Sequence, residues 1–244
     1  MPRDDVAHAL PPVETASTGS LPVGGLGGQP GGRLGHVGLA AAPSWLSERL
    51  ASGSHTETVT AYRRARETFI AGERIDMGRL AAALGVDRTS LFRWVGNRDA
   101  LLSEVLWSLA VPTLEQADLA AADDAGSARV ASVLTTFVHD LIDADYFRTF
   151  LQREPARALR LLTTKESQIQ RRYVAEVEAL VATELGQRPL GRDVPPRELA
   201  YLLVRISESF TYADLIAGDV PSAARARTAF ELVLHLDRSP TTTA

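Results

Sequence analysis

The chain has 244 residues, enough for one or two domains with a buried core, and is 45% hydrophobic and 23% charged with a net charge of −4. It holds no cysteine, which excludes a disulfide framework, a thiolate metal site and a cysteine nucleophile and fits a reducing cytoplasm. No apolar run approaches the roughly 20 residues that span a bilayer, and Asp4 and Asp5, with no unbroken apolar block after them, make a poor signal peptide.

Residues 1–43 contain nine of the 18 glycines and six of the 13 prolines. Such a segment has no apolar periodicity with which to order itself, so it is expected to be a disordered tail. Residues 44–50 can form one or two helical turns that dock Trp45, Leu46 and Leu50. Residues 56–72 place Val59, Tyr62, Ala65, Phe69 and Ile70 on one face of a covering helix.

The stretch IDMGRLAAALGVDRTSLFRWVGNRDALL, 75–102, carries most of the functional information. Asp76 caps a helix with Met77, Leu80, Ala81 and Leu84 inward, and Ile75 and Leu80 have the spacing of a hydrophobic staple. Gly85 suits a left-handed helix end. Asp87 then caps a second helix, Val86 and Leu91 repeat the staple, and Leu91 and Val95 face inward. Arg88, Thr89, Ser90, Phe92 and Arg93 remain outward, with Trp94 at the edge and Arg79 on the preceding helix. Asn97 caps the next helix, whose first residue is Arg98. Two short helices across a tight turn, with arginines on the outer face, form a reader of the major groove. The charge distribution agrees: residues 56–102 hold eight arginines against six acids, for +2, whereas residues 103–244 hold 15 basic against 20 acidic side chains, for −5.

Residues 85–102, GVDRTSLFRWVGNRDALL, resemble the helix-turn-helix of the TetR family of bacterial transcription regulators. Gly85, Val86, Leu91, Leu101 and the pair Arg98–Asp99 match the family pattern, Arg88 stands for the basic residue after the cap, and Ser90 for a hydroxyl that often touches phosphate. The family's cap serine is Asp87 here and its tyrosine is Phe92, so two usual phosphate contacts are altered. The resemblance implies an all-α protein: a helix-turn-helix domain over 44–102, a helical effector-binding and dimerisation domain over 103–238, and a short disordered end at 239–244. It implies a homodimer that binds double-stranded DNA and is released by a small molecule, acting in the cytoplasm at the nucleoid. DNA-contacting residues would be Arg79, Arg88, Thr89, Ser90, Phe92, Arg93, Trp94 and Arg98, with Arg98 on phosphate.

Beyond 102 the chain reads as helix throughout, at 98–122 with a kink or split at Pro112, then at about 127–143, 145–153, 155–163, 165–186, 196–217 and 221–236, with a loop at 187–196. No stretch alternates at period two, so no sheet is expected. The segment ELAYLLVRISESFTYADLIAG is similar to a C-terminal type found in TetR-like regulators of quorum-signal lactone degradation. Within it Arg205, Glu208, Ser209 and Tyr212 form a polar row beside an apolar stripe. The row is either an internal ionic network or, with Phe147 and Leu151, the lining of an effector pocket. Helices 196–217 and 221–236 are the expected dimer surface, with Phe230, Val233 and Leu234 as contacts or as core. No catalytic motif is present: there is no GxSxG, no phosphate-binding glycine loop and no histidine pair at metal spacing, so neither an enzyme nor a resident metal or cofactor is expected. A second reading keeps the helical dimer but makes its basic face a dock for an acidic protein, DNA binding having been lost; Asp87 and Phe92 are the residues that favour it.

Overall fold

The computed structural model describes residues 43–53, 55–187, 189–191 and 194–235. The glycine-rich tail up to 42 and the C-terminal end at 239–244 lie outside the described residues, as does part of the 187–196 loop. Every regular element among the described residues is helical.

Five helices build the N-terminal part: α1 (Trp45–Ala51), α2 (Thr56–Ile70), α3 (Met77–Ala83), α4 (Arg88–Val95) and α5 (Arg98–Ala120). Their starts are set by the expected caps. Asp76 accepts from the amides of Gly78 and Arg79, both at 2.9 Å, and Asn97 accepts from the amide of Ala100 at 2.8 Å. At the end of α3, Gly85 has φ +69°. Its amide donates to the Ala82 carbonyl and that of Val86 to the Ala81 carbonyl, so the turn is a Schellman closure that a side chain at Gly85 would strain.

Ala61, Ala65 and Phe69 of α2, Leu80 of α3 and Leu91 and Val95 of α4 pack around Leu101, Leu102 and Val105 of α5. This core does not stop at residue 102. It runs on into Phe147, Phe150 and Leu151 of α7 (Asp145–Arg153) and Ala158, Leu161 and Leu162 of α8 (Pro155–Thr163). A second core joins the far half of α5, through Leu114 and Ala117, to α6 (Gly126–Asp143), α9 (Ile169–Leu185), α10 (Pro196–Thr211) and α12 (Ala223–Val233). Helix α5 therefore belongs to both cores.

Three boundaries differ from those expected. Pro112 removes one backbone donor, yet α5 passes through it as one helix, held by buried Leu106 and Trp107 before it and Leu114 and Ala117 after it. Helix α9 starts four residues late because the Thr164 and Ser167 hydroxyls donate back to the carbonyls of Arg160 and Leu161 and hold a turn. The expected helix 196–217 breaks at Tyr212 into α10 and α11 (Ala213–Ile216). Thr211, Tyr212 and Ala213 are all buried, and three consecutive residues cannot share one face of a straight helix.

Candidate DNA-reading surface and ligand cavity

Helices α3 and α4 present one exposed basic face. Arg79, Arg88, Thr89, Phe92 and Arg93 are exposed there, and Ser90 is half-buried. Among the described residues Arg79, Arg88 and Arg93 make no salt bridge, so their charge is free for an anionic partner. At the start of α4 Asp87 accepts from the Ser90 amide at 2.9 Å and from the Ser90 hydroxyl at 2.7 Å, and Arg93 donates to that same hydroxyl at 3.2 Å. The hydrogen bond from Ser90 holds the Asp87 carboxyl below its ordinary range. The cap is thus an anion, and the Ser90 hydroxyl proton is turned to it rather than outward.

Two residues of the expected set sit elsewhere. Trp94 is half-buried against the module's core, and its carbonyl accepts from the Thr58 hydroxyl at 3.3 Å; it braces α4 against α2. Arg98 is turned away from the arginine face. Its guanidinium grips both carboxylate oxygens of Glu154 at 2.6 and 2.5 Å, and its Nε donates to the Ile75 carbonyl at 2.5 Å. The resemblance implies a phosphate for Arg98; the structure gives it a carboxylate.

The larger part contains a cavity of about 580 Å³, counting the space open to solvent. Phe147, Glu208 and Tyr212 of the expected ligand set line it, together with Leu106, Trp107, Phe137, Tyr146, Leu162, Ile169 and Tyr173. Leu151 is fully buried in the core beneath α7 and does not reach the lining. Ser209 is exposed and donates to its own helix at the Arg205 carbonyl. Arg205 lies outside the lining, where its Nη1 donates to Oε2 of Glu208 at 2.6 Å and its Nη2 to the Thr163 carbonyl at 3.1 Å. The row therefore includes both things that the sequence offered: an ionic pair, and one wall of a cavity.

Glu208 is the one charged lining residue and is only 5% exposed. Its Oε1 is buried without a hydrogen-bond partner. Burial pushes its carboxyl up to about 7, with the Arg205 guanidinium opposing. Tyr173 donates its hydroxyl to Ser207 at 3.1 Å, and its ring lies 5.1 Å from that of Phe137. Burial raises the phenols of Tyr173 and Tyr212 above the ordinary tyrosine range.

A family model described as "Tetracyclin repressor-like, C-terminal domain" matches residues 125–235. Among solved structures, the TetR-family transcriptional repressor QsdR of R. erythropolis is similar with a TM-score of 0.66 and 27% identity, over 76% of this chain and 97% of that one. The chain belongs to the TetR family. No curated protein matches it. No helix among the described residues is long and apolar enough to cross a membrane.

In this TetR-family chain the reading module and the cavity are physically joined. Glu154, the partner of Arg98, lies between α7 and α8, and these two helices also supply Phe147 and Leu162 to the cavity. Beside that pair Asp99 of α5 accepts from Arg157 and Arg160 of α8. Sequence reasoning missed this ionic seam and most of the cavity wall. Trp107, Phe137 and Tyr173 carry the same apolar spacing as any core residue. The one local signal for the seam was the dense charge of 153–160, REPARALR.

Proposed function

We propose that this chain is a ligand-responsive transcriptional repressor of the cytoplasm that binds a near-palindromic operator as a homodimer. The observation that carries the reading is the exposed, unpaired arginine set Arg79, Arg88 and Arg93 on α3 and α4. Arg88 and Arg93 contact base edges or phosphates in the major groove, and Thr89, Ser90 and Phe92 complete the contact surface. A charge excess of only +2 over residues 56–102 makes a single module a weak binder, so affinity depends on two copies on adjacent half-sites.

Dimerisation uses α10 and α12. Phe230 and Leu234 are fully buried inside the single chain and serve as its core, which leaves Tyr201 and Leu202 of α10 and Leu232 of α12 as the exposed apolar residues for a two-fold interface. The effector occupies the cavity beneath α10 and favours one spacing of the two reading heads, so that ligand and DNA oppose each other by linkage. The similarity of 198–218 to regulators of quorum-signal lactone degradation makes that process the proposed target of regulation.

An anisotropy titration with the DNA upstream of the chain's own gene tests this. Expected is salt-sensitive, sequence-selective binding that Arg88→Ala with Arg93→Ala abolishes. Equal affinity for all DNA sequences, or no effect of the double substitution, overturns it. The engaged cap Asp87–Ser90 favours the second reading, a protein dock; an acidic protein recovered from nuclease-treated lysate, with no DNA binding by the pure chain, is the outcome that selects it.

A further inference from the structure

We propose that the cavity's ligand is an apolar molecule carrying one neutral N–H donor, a secondary amide, which donates to Oε1 of Glu208. The proposal rests on the reading of the cavity as the effector site and adds the chemistry of what fills it.

Oε1 of Glu208 lies in the cavity wall, buried and without a hydrogen-bond partner. A buried acceptor in this state costs free energy that a ligand donor recovers on binding. A carboxylate only accepts, so the complement is a donor. The charge of that donor follows from Arg205. Its Nη1 already sits 2.6 Å from Oε2 of Glu208, so the pair is close to neutral before any ligand arrives. An ammonium would bring a second positive charge into a wall with one carboxylate, and that charge would be left buried and uncompensated. A neutral N–H meets the acceptor without it.

The rest of the lining sets the body of the ligand. Rings of Trp107, Phe137, Tyr146, Phe147, Tyr173 and Tyr212 face the space, which calls for alkyl or aryl groups around the polar centre. The Tyr173 hydroxyl is already donated to Ser207. The phenols of Tyr146 and Tyr212 supply donors for the amide's own carbonyl.

Three probes of one length separate the possibilities: N-hexylpentanamide, its ester counterpart hexyl pentanoate, and N-hexylpentylamine, which is an ammonium at neutral pH. Binding to the full chain is read by tryptophan fluorescence, since Trp107 lines the cavity, and by thermal shift. The amide is expected to bind roughly 10- to 100-fold more tightly than the ester, because the ester leaves the buried acceptor unmet. The ammonium is expected to bind no better than the ester. Glu208→Leu brings amide and ester to near-equal affinity, and Arg205→Ala, which uncovers the carboxylate charge, moves the preference toward the ammonium. Should Glu208→Leu fail to fold, the Arg205→Ala arm decides alone. Equal binding of amide and ester by the wild type, an ammonium that beats the amide, a preference that survives Glu208→Leu, or no binding of any probe overturns the proposal. Operator binding by the same preparation without ligand is measured separately. Operator binding without amide preference removes this inference and leaves the regulator; amide preference without operator binding does the reverse.

Discussion

Arg98 clamps Glu154 with both arms of its guanidinium, at 2.6 and 2.5 Å, and so ties the first turn of α5 to the junction of α7 and α8. Both side chains are 13% exposed, and Arg157 approaches the same carboxylate at 3.1 Å. Hydrogen bonding from Arg98 outweighs burial and holds the Glu154 carboxyl below its ordinary range. The pair is bidentate and half-shielded, the geometry in which an ion pair contributes measurably. It also lies between the two proposed sites. A shift of α7 or α8 against the cavity must either move α5 or break this pair.

Arg98→Ala separates a clamp from a phosphate contact. The clamp predicts a loss of about 1.5–3 kcal/mol in unfolding free energy, the range for a charge-assisted hydrogen-bonded pair. It also predicts an unchanged salt dependence of DNA binding. A phosphate contact predicts the opposite pattern: little change in stability, and a slope of log K against log salt reduced by about one. Urea unfolding and a salt series on the same variant decide between them.

The reading module was legible because its signals are local. Caps at Asp76, Asp87 and Asn97, the glycine turn at Gly85 and the inward pair Leu91 and Val95 are each fixed by residues within a turn of one another. The cavity was legible in part, at Phe147, Glu208 and Tyr212, because a charged row inside an apolar helix is anomalous in sequence. Its other walls come from α5, α6, α8 and α9, and helical periodicity marks which residues point inward without saying whether they meet atoms or space. Arg98 was misplaced for a related reason. Its position at a helix start suits an anion equally well whether that anion is a phosphate or Glu154, which is 56 residues away.

Asp87→Ser is expected to strengthen DNA binding. Aspartate and serine cap a helix almost equally well, so the melting temperature should hold. The substitution removes an exposed negative charge at the end of α4 that enters the groove and frees Ser90 from its bond to the Asp87 carboxylate. A gain of roughly five-fold at low ionic strength, shrinking as salt rises, is the expected result. Anisotropy titrations at two salt concentrations measure it, and unchanged affinity at low salt would place Asp87 away from the DNA backbone.

Arg129 is 1% exposed and donates to the Asp118 carboxylate and the Ala121 carbonyl, while its Nε lies 3.2 Å from Glu184. Glu184 in turn accepts from the Gly126 amide at 2.9 Å. The group joins the end of α5, the start of α6 and the end of α9. Arg129→Ala strips two shielded carboxylates of their cation and should cost about 3–5 kcal/mol. Arg129→Met with Asp118→Leu replaces charge by apolar volume and should recover part of that loss. Urea denaturation of both variants tests the order; equal stability of Arg129→Ala and the wild type would show that the buried pair contributes nothing.

Glu208 gives the unliganded protein a dependence on pH. Its carboxyl is raised in the folded state, to about 7, above the ordinary value of 4.5. A raised carboxyl binds its proton more tightly when folded, so its contribution is complete below about pH 4.5 and is lost as pH climbs through 7. Arg205 faces it from α10, and the phenols of Tyr173 and Tyr212 face it from α9 and from the turn after α10. Burial raises both phenols, and Arg205 too is raised by its partners, so none of the three titrates between pH 5 and 8. Glu208→Gln removes the titration and keeps the shape. The stability of the variant relative to the wild type should therefore improve between pH 5 and pH 8, by on the order of 3 kcal/mol for a shift of this size. Denaturant unfolding of both proteins at the two pH values gives the difference directly, and a difference independent of pH would mean that Glu208 is already paired or hydrated in the folded chain.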